Sequence, residues 1–278
     1  MLAGISVYRF KRRGNSLTQA VRDLWQRKSL LNLWLWFNIE ANYTDSKLGL
    51  LWVILNPLSM TLVYTIAFSE LLGIRGPRGG IPFVSFYLTG ITLWHLFNSG
   101  VSSSSLIIQR QMSLINQAQF PREILLLSRM GEQLVEFTIT FVLMLIINAF
   151  NGIWPNQMFV YLPLLLISAI AMTQGIMFIV SPISVFIRDV PQLISSALRL
   201  FFFLTPVIYP VELVPEHLRF LVLLNPVALL IEEYRRIILY AELPSINSFG
   251  YLLSLSLLIL LIGFVFFKSN EDKLADYR

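Results

Sequence analysis

The sequence predicts an all-α integral membrane protein. It has six transmembrane helices, an N-terminal interfacial amphipathic helix and short re-entrant outer-leaflet helices between spans five and six. Three observations predict it. Of the 278 residues, 56% are hydrophobic and only 13% charged, with a mean hydropathy of +0.68. A water-soluble domain carries nearer a quarter charged residues, so this chain lacks the groups to coat a surface that faces water. Six stretches approach the ~20 mostly apolar residues that a helix needs to cross hydrocarbon, and none alternates as a barrel strand would. Lys and Arg, finally, are shared unequally between alternate connecting segments.

The N-terminal segment, residues 1–50, is basic, with seven Lys and Arg in its first 30 positions and no apolar stretch before a cleavage site. It reads as a retained, cytoplasmic terminus. Within it, Leu17, Val21, Leu24, Leu31 and Leu35 recur near helical spacing, with Arg22, Asp23, Gln26, Arg27 and Asn32 on the other side. A helix over 17–37 therefore lies in the interface, with Trp25, Trp34 and Trp36 at headgroup depth. A seventh span over 30–41 is the alternative, but its apolar run is about half the length required.

The transmembrane domain runs over 51–267, with spans at about 51–73, 82–108, 130–150, 159–186, 193–210 and 246–267. The fifth is short and ends at Pro206 and Pro210, so it is tilted or broken. The segments before 51, at 109–129, at 187–192 and after 267 hold 15 Lys and Arg, against 5 in those at 74–81, 151–158 and 211–245. That bias places both termini, including the 268–278 tail, on the cytoplasmic side. The 211–245 connection holds two apolar or amphipathic runs parted by Asn225–Pro226, which predicts two short helices broken there.

The inventory of chemistry excludes several functions. Zero cysteines and two isolated histidines leave no disulfide framework and no structural zinc set, and the basic residues mark membrane topology rather than a nucleic-acid partner. No G-x-x-x-x-G-K-[ST] is present, so if ATP drives this protein another chain binds it. An ion-coupled carrier would use intramembrane ionisable groups. Glu132, Glu136, Arg199 and His95 are the candidates, and each also reads as a snorkelling or paired structural residue. A glycosyltransferase is disfavoured because no loop clusters Asp and Glu for a metal and a sugar nucleotide. Aromatic residues recur along the spans: Tyr64, Phe68, Tyr87, Trp94, Phe97, Phe201, Phe202, Phe203 and Tyr209. Packing explains any one ring, while stacking on sugar faces would explain the set.

The cytoplasmic segment 109–129 (QRQMSLINQAQFPREILLLSR) mixes apolar Ile115 and Phe120 with Asn116, Gln117 and Gln119. Phe120–Pro121–Arg122–Glu123 ends one short helix and starts another with proline in its first turn. Such an element can dock on a soluble partner.

Taken in order, several segments resemble the membrane subunits of ABC-2 type exporters of cell-surface polysaccharides, the O-antigen, capsule and teichoic-acid exporters. They are Tyr43–Trp52 (YTDSKLGLLW) leading to Pro57–Leu58 and Val63–Tyr64 with Phe68; Phe120–Ser128 (FPREILLLS); Arg188–Asp189–Val190; and Leu204–Pro210 (LTPVIYP) with Val214–Pro215–Glu216, Leu224–Asn225–Pro226 and Glu233–Tyr234–Arg235. Asn42 and Leu126 depart from the pattern, standing where similar proteins often carry a basic residue and a second proline.

The resemblance implies a half-transporter in the inner membrane. Two copies pair with two copies of a cytoplasmic ATPase that holds ATP and Mg, and a lipid-linked O-antigen or capsular glycan passes between the membrane subunits. It assigns ATPase coupling to Asn116, Gln117, Phe120, Pro121, Arg122, Glu123, Arg188 and Asp189. Glycan contact falls to Tyr64, Phe68, Tyr87, Trp94, Phe97, Phe202 and Tyr209, and an outer gate to Glu212, Pro215, Asn225, Pro226, Glu233 and Arg235. It implies no catalytic residue, cofactor or metal in this chain. A teichoic-acid exporter is the alternative within the family, and an ion-coupled carrier the alternative outside it.

Overall fold

The computed structural model describes residues 28–43, 47–49, 51–71, 73, 80–112 and 121–276, and every regular element among them is helical. In chain order the helices are α1 (Lys28–Tyr43), α2 (Leu51–Tyr64, prolonged by a π-helical turn at Thr65–Leu71), α3 (Phe83–Arg110), α4 (Glu123–Phe150) and α5 (Leu162–Phe186). They are followed by α6 (Val190–Leu204), α7 (Arg219–Leu224), α8 (Pro226–Arg235, prolonged by a π-helical turn at Arg236–Tyr240) and α9 (Ile246–Asp276).

Local chemistry sets the ends. Helix α4 closes in a Schellman turn: Gly152 takes a left-handed φ of 78°, its N–H donates to the Ala149 carbonyl at 3.0 Å, and that of Ile153 donates to Asn148 at 2.9 Å. Helices α5, α6 and α8 each carry proline in their first turn, where the missing N–H has no intrahelical acceptor to lose.

Among the described residues, four stretches are long and apolar enough to cross a membrane: Leu51–Leu71, Glu123–Phe150, Gln157–Phe186 and Ile246–Glu271. Helix α6 is apolar but only 15 residues long, about 22 Å at 1.5 Å per residue, short of the ~30 Å hydrocarbon core. Helix α3 equals α4 in length, 28 residues, and differs in its polar side chains, among them Asn98 and the run Ser102 to Ser105.

The core is organised on α3, which packs against α2, α4, α5, α6 and α8. The most extensive pairing is of α9 with α5, where two glycines meet: a Cβ on Gly175 would stand 2.6 Å from the Leu260 nitrogen, and one on Gly263 would run into the Gly175 carbonyl. Small residues let helix backbones approach where lipid supplies no hydrophobic drive.

Residues 17–27 of the expected interfacial helix lie outside the described residues. Its remainder is the start of α1, which continues to Tyr43 and seats Leu35 over Gly131 of α4 while exposing Leu33, Trp36 and Phe37.

Candidate functional site

Three places bring polar groups together. The first is at the end where α3 and α5 finish and α4 begins. Gln109 donates from Nε2 to the Ser184 carbonyl, joining the ends of α3 and α5. Glu123 opens α4, as an acid in the first turn favours, and is almost fully buried, 1% exposed. Its Oε1 meets Lys268 Nζ of α9 at 2.6 Å, and the same ammonium reaches Glu271 Oε2 at 3.0 Å. Arg122 donates from Nη1 to the Glu271 carbonyl, and its backbone N–H points at Glu271 Oε1, 3.4 Å away. The Pro121–Glu123 step is thus tied to the last helix of the chain. Arg188 and Asp189 are exposed in the turn between α5 and α6. Asn116, Gln117 and Phe120 lie outside the described residues.

The second cluster sits at the opposite end, behind Asn225–Pro226. Asn225 caps α8: its Oδ1 accepts from Val227 N at 2.9 Å and Ala228 N at 3.2 Å, while its Nδ2 donates to Thr205 Oγ1 at 2.8 Å. Arg235 is fully buried. Its fork donates to the carbonyls of Pro206 (2.6 Å) and Val207 (2.8 Å), more loosely to that of Phe86 (3.4 Å), and to Glu232 Oε1 (3.0 Å), with Cζ 3.5 Å from the Phe86 ring centroid. Glu233 accepts from Ser245 N at 3.1 Å; burial raises its carboxyl above the usual range, and that N–H opposes the rise. Asn156 donates from Nδ2 to the Ile237 carbonyl at 2.9 Å, which ties the entry of α5 to the same cluster. Of the expected outer-gate residues, Asn225, Pro226, Glu233 and Arg235 meet here; Glu212 is exposed but close enough for its carboxylate to act on the Arg235 charge, and Pro215 is exposed.

The expected aromatic residues form two ring clusters within the protomer. Tyr64 lies 6.0 Å from Phe68 and 5.0 Å from Tyr87, centroid to centroid; Trp94 lies 5.8 Å from Phe97 and 5.4 Å from Phe202. Tyr87, Trp94 and Phe97 are buried, and Tyr64, Phe68, Phe202 and Tyr209 half-buried. These rings pack in tilted pairs, with 40° to 54° between their planes, and Tyr209 donates its hydroxyl to the Phe203 carbonyl at 2.7 Å.

The third place, apart from His95, escaped the sequence reading: a polar groove on α3. His95, Asn98, Ser99, Ser102, Ser103 and Arg110 recur at helical spacing and, with Arg129 of α4, line a cavity of about 280 Å³. The signal was present as an i, i+3, i+4, i+7 polar pattern inside an apolar span. Lys268 and Glu271 were also missed, and no local signal links them to Glu123.

The chain matches the ABC-2 type transporter family over residues 29–239. It is 30% identical over 263 residues to the O-antigen export system permease protein RfbA of Myxococcus xanthus, covering 94% of this chain and 99% of that protein. The protein of the same name from Klebsiella pneumoniae is 24% identical over 240 residues, 86% of this chain and 91% of its own. The polysialic acid transport protein KpsM of Escherichia coli is 23% identical over 235 residues, 84% and 90% of the two chains.

Proposed function

The chain belongs to the ABC-2 type transporter family, and from that premise we propose that it is the membrane subunit of an ATP-driven exporter that moves a lipid-linked O-antigen or capsular polysaccharide across the inner membrane. The observation that carries this reading is the near end-to-end match to O-antigen export permeases, 94% of one chain against 99% of the other. Two copies of the chain, each with six spans and both termini cytoplasmic, enclose the glycan's path. The spans are the four long apolar helices, together with α3 and the short α6, the latter completed by the Thr205–Pro210 segment. The α7–α8 pair dips into the outer leaflet.

Two copies of a separate ATPase hold ATP and Mg and do the hydrolysis. They dock on the 109–129 segment and on Arg188–Asp189. The Arg122–Glu123–Lys268–Glu271 junction supports this, because a motor pushing on 109–129 then moves α4 and α9 together rather than a loose loop.

Deleting the gene and scoring surface polysaccharide tests the function. The expected result is loss of surface glycan, with glycan held inside the cell, and recovery when the chain is supplied from a plasmid. Recovery also requires the ATPase subunit, which co-purifies with the chain. A deletion strain with normal surface glycan, or a purified chain that transports with an ion gradient and no ATPase, overturns the reading.

A further inference from the structure

We propose that the groove on α3 is a sugar-binding surface of the export path, and that its recognition elements are small hydrogen-bonding side chains. The inference rests on the proposed export function and names the contact residues within it. Helix α3 is buried along most of its length, and its less buried positions include a polar row: Asn98, Ser99, Ser102 and Ser103 fall on one face, with His95 one turn before them, Leu106 one turn beyond and Arg110 two turns beyond. In hydrocarbon an exposed row of such groups is unfavourable, since lipid offers them no partner. This face therefore meets water or a polar ligand rather than lipid tails.

The chemistry narrows the ligand. The charged neighbours of His95 across the groove are Arg129 and Glu136 of α4, and Arg129 is paired with Glu132. Glu136 on that wall and Arg110 on α3 are opposite in sign, so the charges around the groove offset one another. Ser103 donates its own hydroxyl to the Gly100 carbonyl at 3.1 Å, which leaves its oxygen as an acceptor on the groove side. Side chains that both donate and accept, set along a helix whose surrounding charges offset one another, match the hydroxyls of a sugar rather than a phosphate. A cavity of about 280 Å³ is at the lower end of ligand sites and suits a sugar ring with its neighbour entering or leaving. Each such contact is modest, about two- to twelvefold in affinity for one hydrogen bond, so a chain of sugars is held yet still slides.

The sequence contains no cysteine, so single cysteines can be placed without removing others. The test uses inverted membrane vesicles holding the complete transporter and the host's own glycan, with a charged, membrane-impermeant methanethiosulfonate as the probe. S99C, S102C and S103C are expected to react, and S104C and S105C, whose native hydroxyls are buried and bonded back to Val101 and Ser102, are expected not to. Modification at Ser102 should slow ATP-dependent export by about tenfold or more, the factor that one lost hydrogen bond at the upper end of its range already carries. In unmodified vesicles N98L should export less than the unsubstituted chain.

Unreactive cysteines at all three positions overturn the groove as a wet surface. Reactive cysteines whose modification leaves export at its original rate show a water-filled vestibule without glycan contact, and overturn the site. Failure of the exporter reading is separate: there the unsubstituted chain itself moves no glycan, whatever its cysteine variants react with.

Discussion

The guanidinium of Arg235 occupies the space that a side chain on Gly90 would fill. A Cβ at that position would run into Nη2, with the Val207 carbonyl 3.1 Å away and Cζ at 3.3 Å. The absence of a side chain at one turn of α3 is what lets a buried arginine from α8 reach the carbonyls of Pro206 and Val207, 29 and 28 positions earlier in the chain. The break after α6 exposes those carbonyls inside the protein, and the fork satisfies two of them together with Glu232. Arg235 thus fastens α8, α3 and the end of α6.

Gly90→Ala should therefore destabilise by about 1–3 kcal/mol, as overpacking does. Arg235→Lys destabilises too, because a point ammonium cannot reproduce a planar fork with several fixed donors. Lysine also vacates the space beside Gly90, so the double variant should lose less than the sum of the singles. Thermal unfolding of the four proteins in detergent measures this directly, and strict additivity would mean that the two residues do not share the space.

A second prediction concerns the junction of Glu123 with Lys268. Glu123 is buried and Lys268 about a quarter exposed, so breaking the pair should cost less than the 3–5 kcal/mol of a fully buried one, about 1–3 kcal/mol. Glu123→Lys should lower surface glycan and loosen co-purification of the ATPase, by placing two cations together. Adding Lys268→Glu should recover most of both. Normal export in the single charge reversal would remove the junction from the coupling path.

The parts that were legible in the sequence are those decided by neighbours in the chain. The break at Asn225–Pro226 follows from a side chain that caps and a proline that cannot donate, and the start of α4 at Glu123 follows from the preceding proline. The junction with α9 was not legible, because Arg122 and Glu271 are 149 positions apart and nothing in either segment names the other. Arg235 is singled out by resemblance as part of a gate, but beside Glu232 and the Phe86 ring its partners are backbone carbonyls, which leave no trace in residue identity. The polar face of α3 was legible in principle. It was missed because the stretch was judged by its overall apolar content, under which a row of serines every third or fourth position disappears.

The aromatic rings give a third test. Tyr87 and Trp94 are 1% and 4% exposed and face other rings, so a sugar could stack on them only after displacing those neighbours. Alanine at either position should cost about 3–5 kcal/mol of stability, as loss of a large buried side chain does. Export per molecule of folded protein should then stay close to normal, and Trp94→Phe should be milder in both. Export that collapses while the melting temperature holds would return these rings to the glycan path.

The close crossing of α5 and α9 yields the last prediction. Gly175 of α5 and Gly263 of α9 face each other, and the atoms nearest an added Cβ at Gly175 are the Leu260 nitrogen at 2.6 Å and the Ile259 carbonyl at 2.7 Å. Both belong to the backbone, so no rotamer change can relieve the contact, and α9 has to move away from α5. Because lipid tails are as apolar as the helix surfaces, that separation gives up packing contacts without a compensating hydrophobic gain. Lys268 lies less than two turns beyond Gly263 on the same helix, so the movement also draws its ammonium away from Glu123. Gly263→Ala should therefore lower the melting temperature and weaken ATPase co-purification together. Gly250 supplies the control, since it sits in the same helix with nothing within 4 Å of its added Cβ. There alanine should be neutral or should stabilise by up to about 1 kcal/mol through helix propensity alone. Melting curves and pull-downs of the two variants decide the matter: if Gly263→Ala behaves like Gly250→Ala, the close approach of α5 and α9 is not what holds the junction in place.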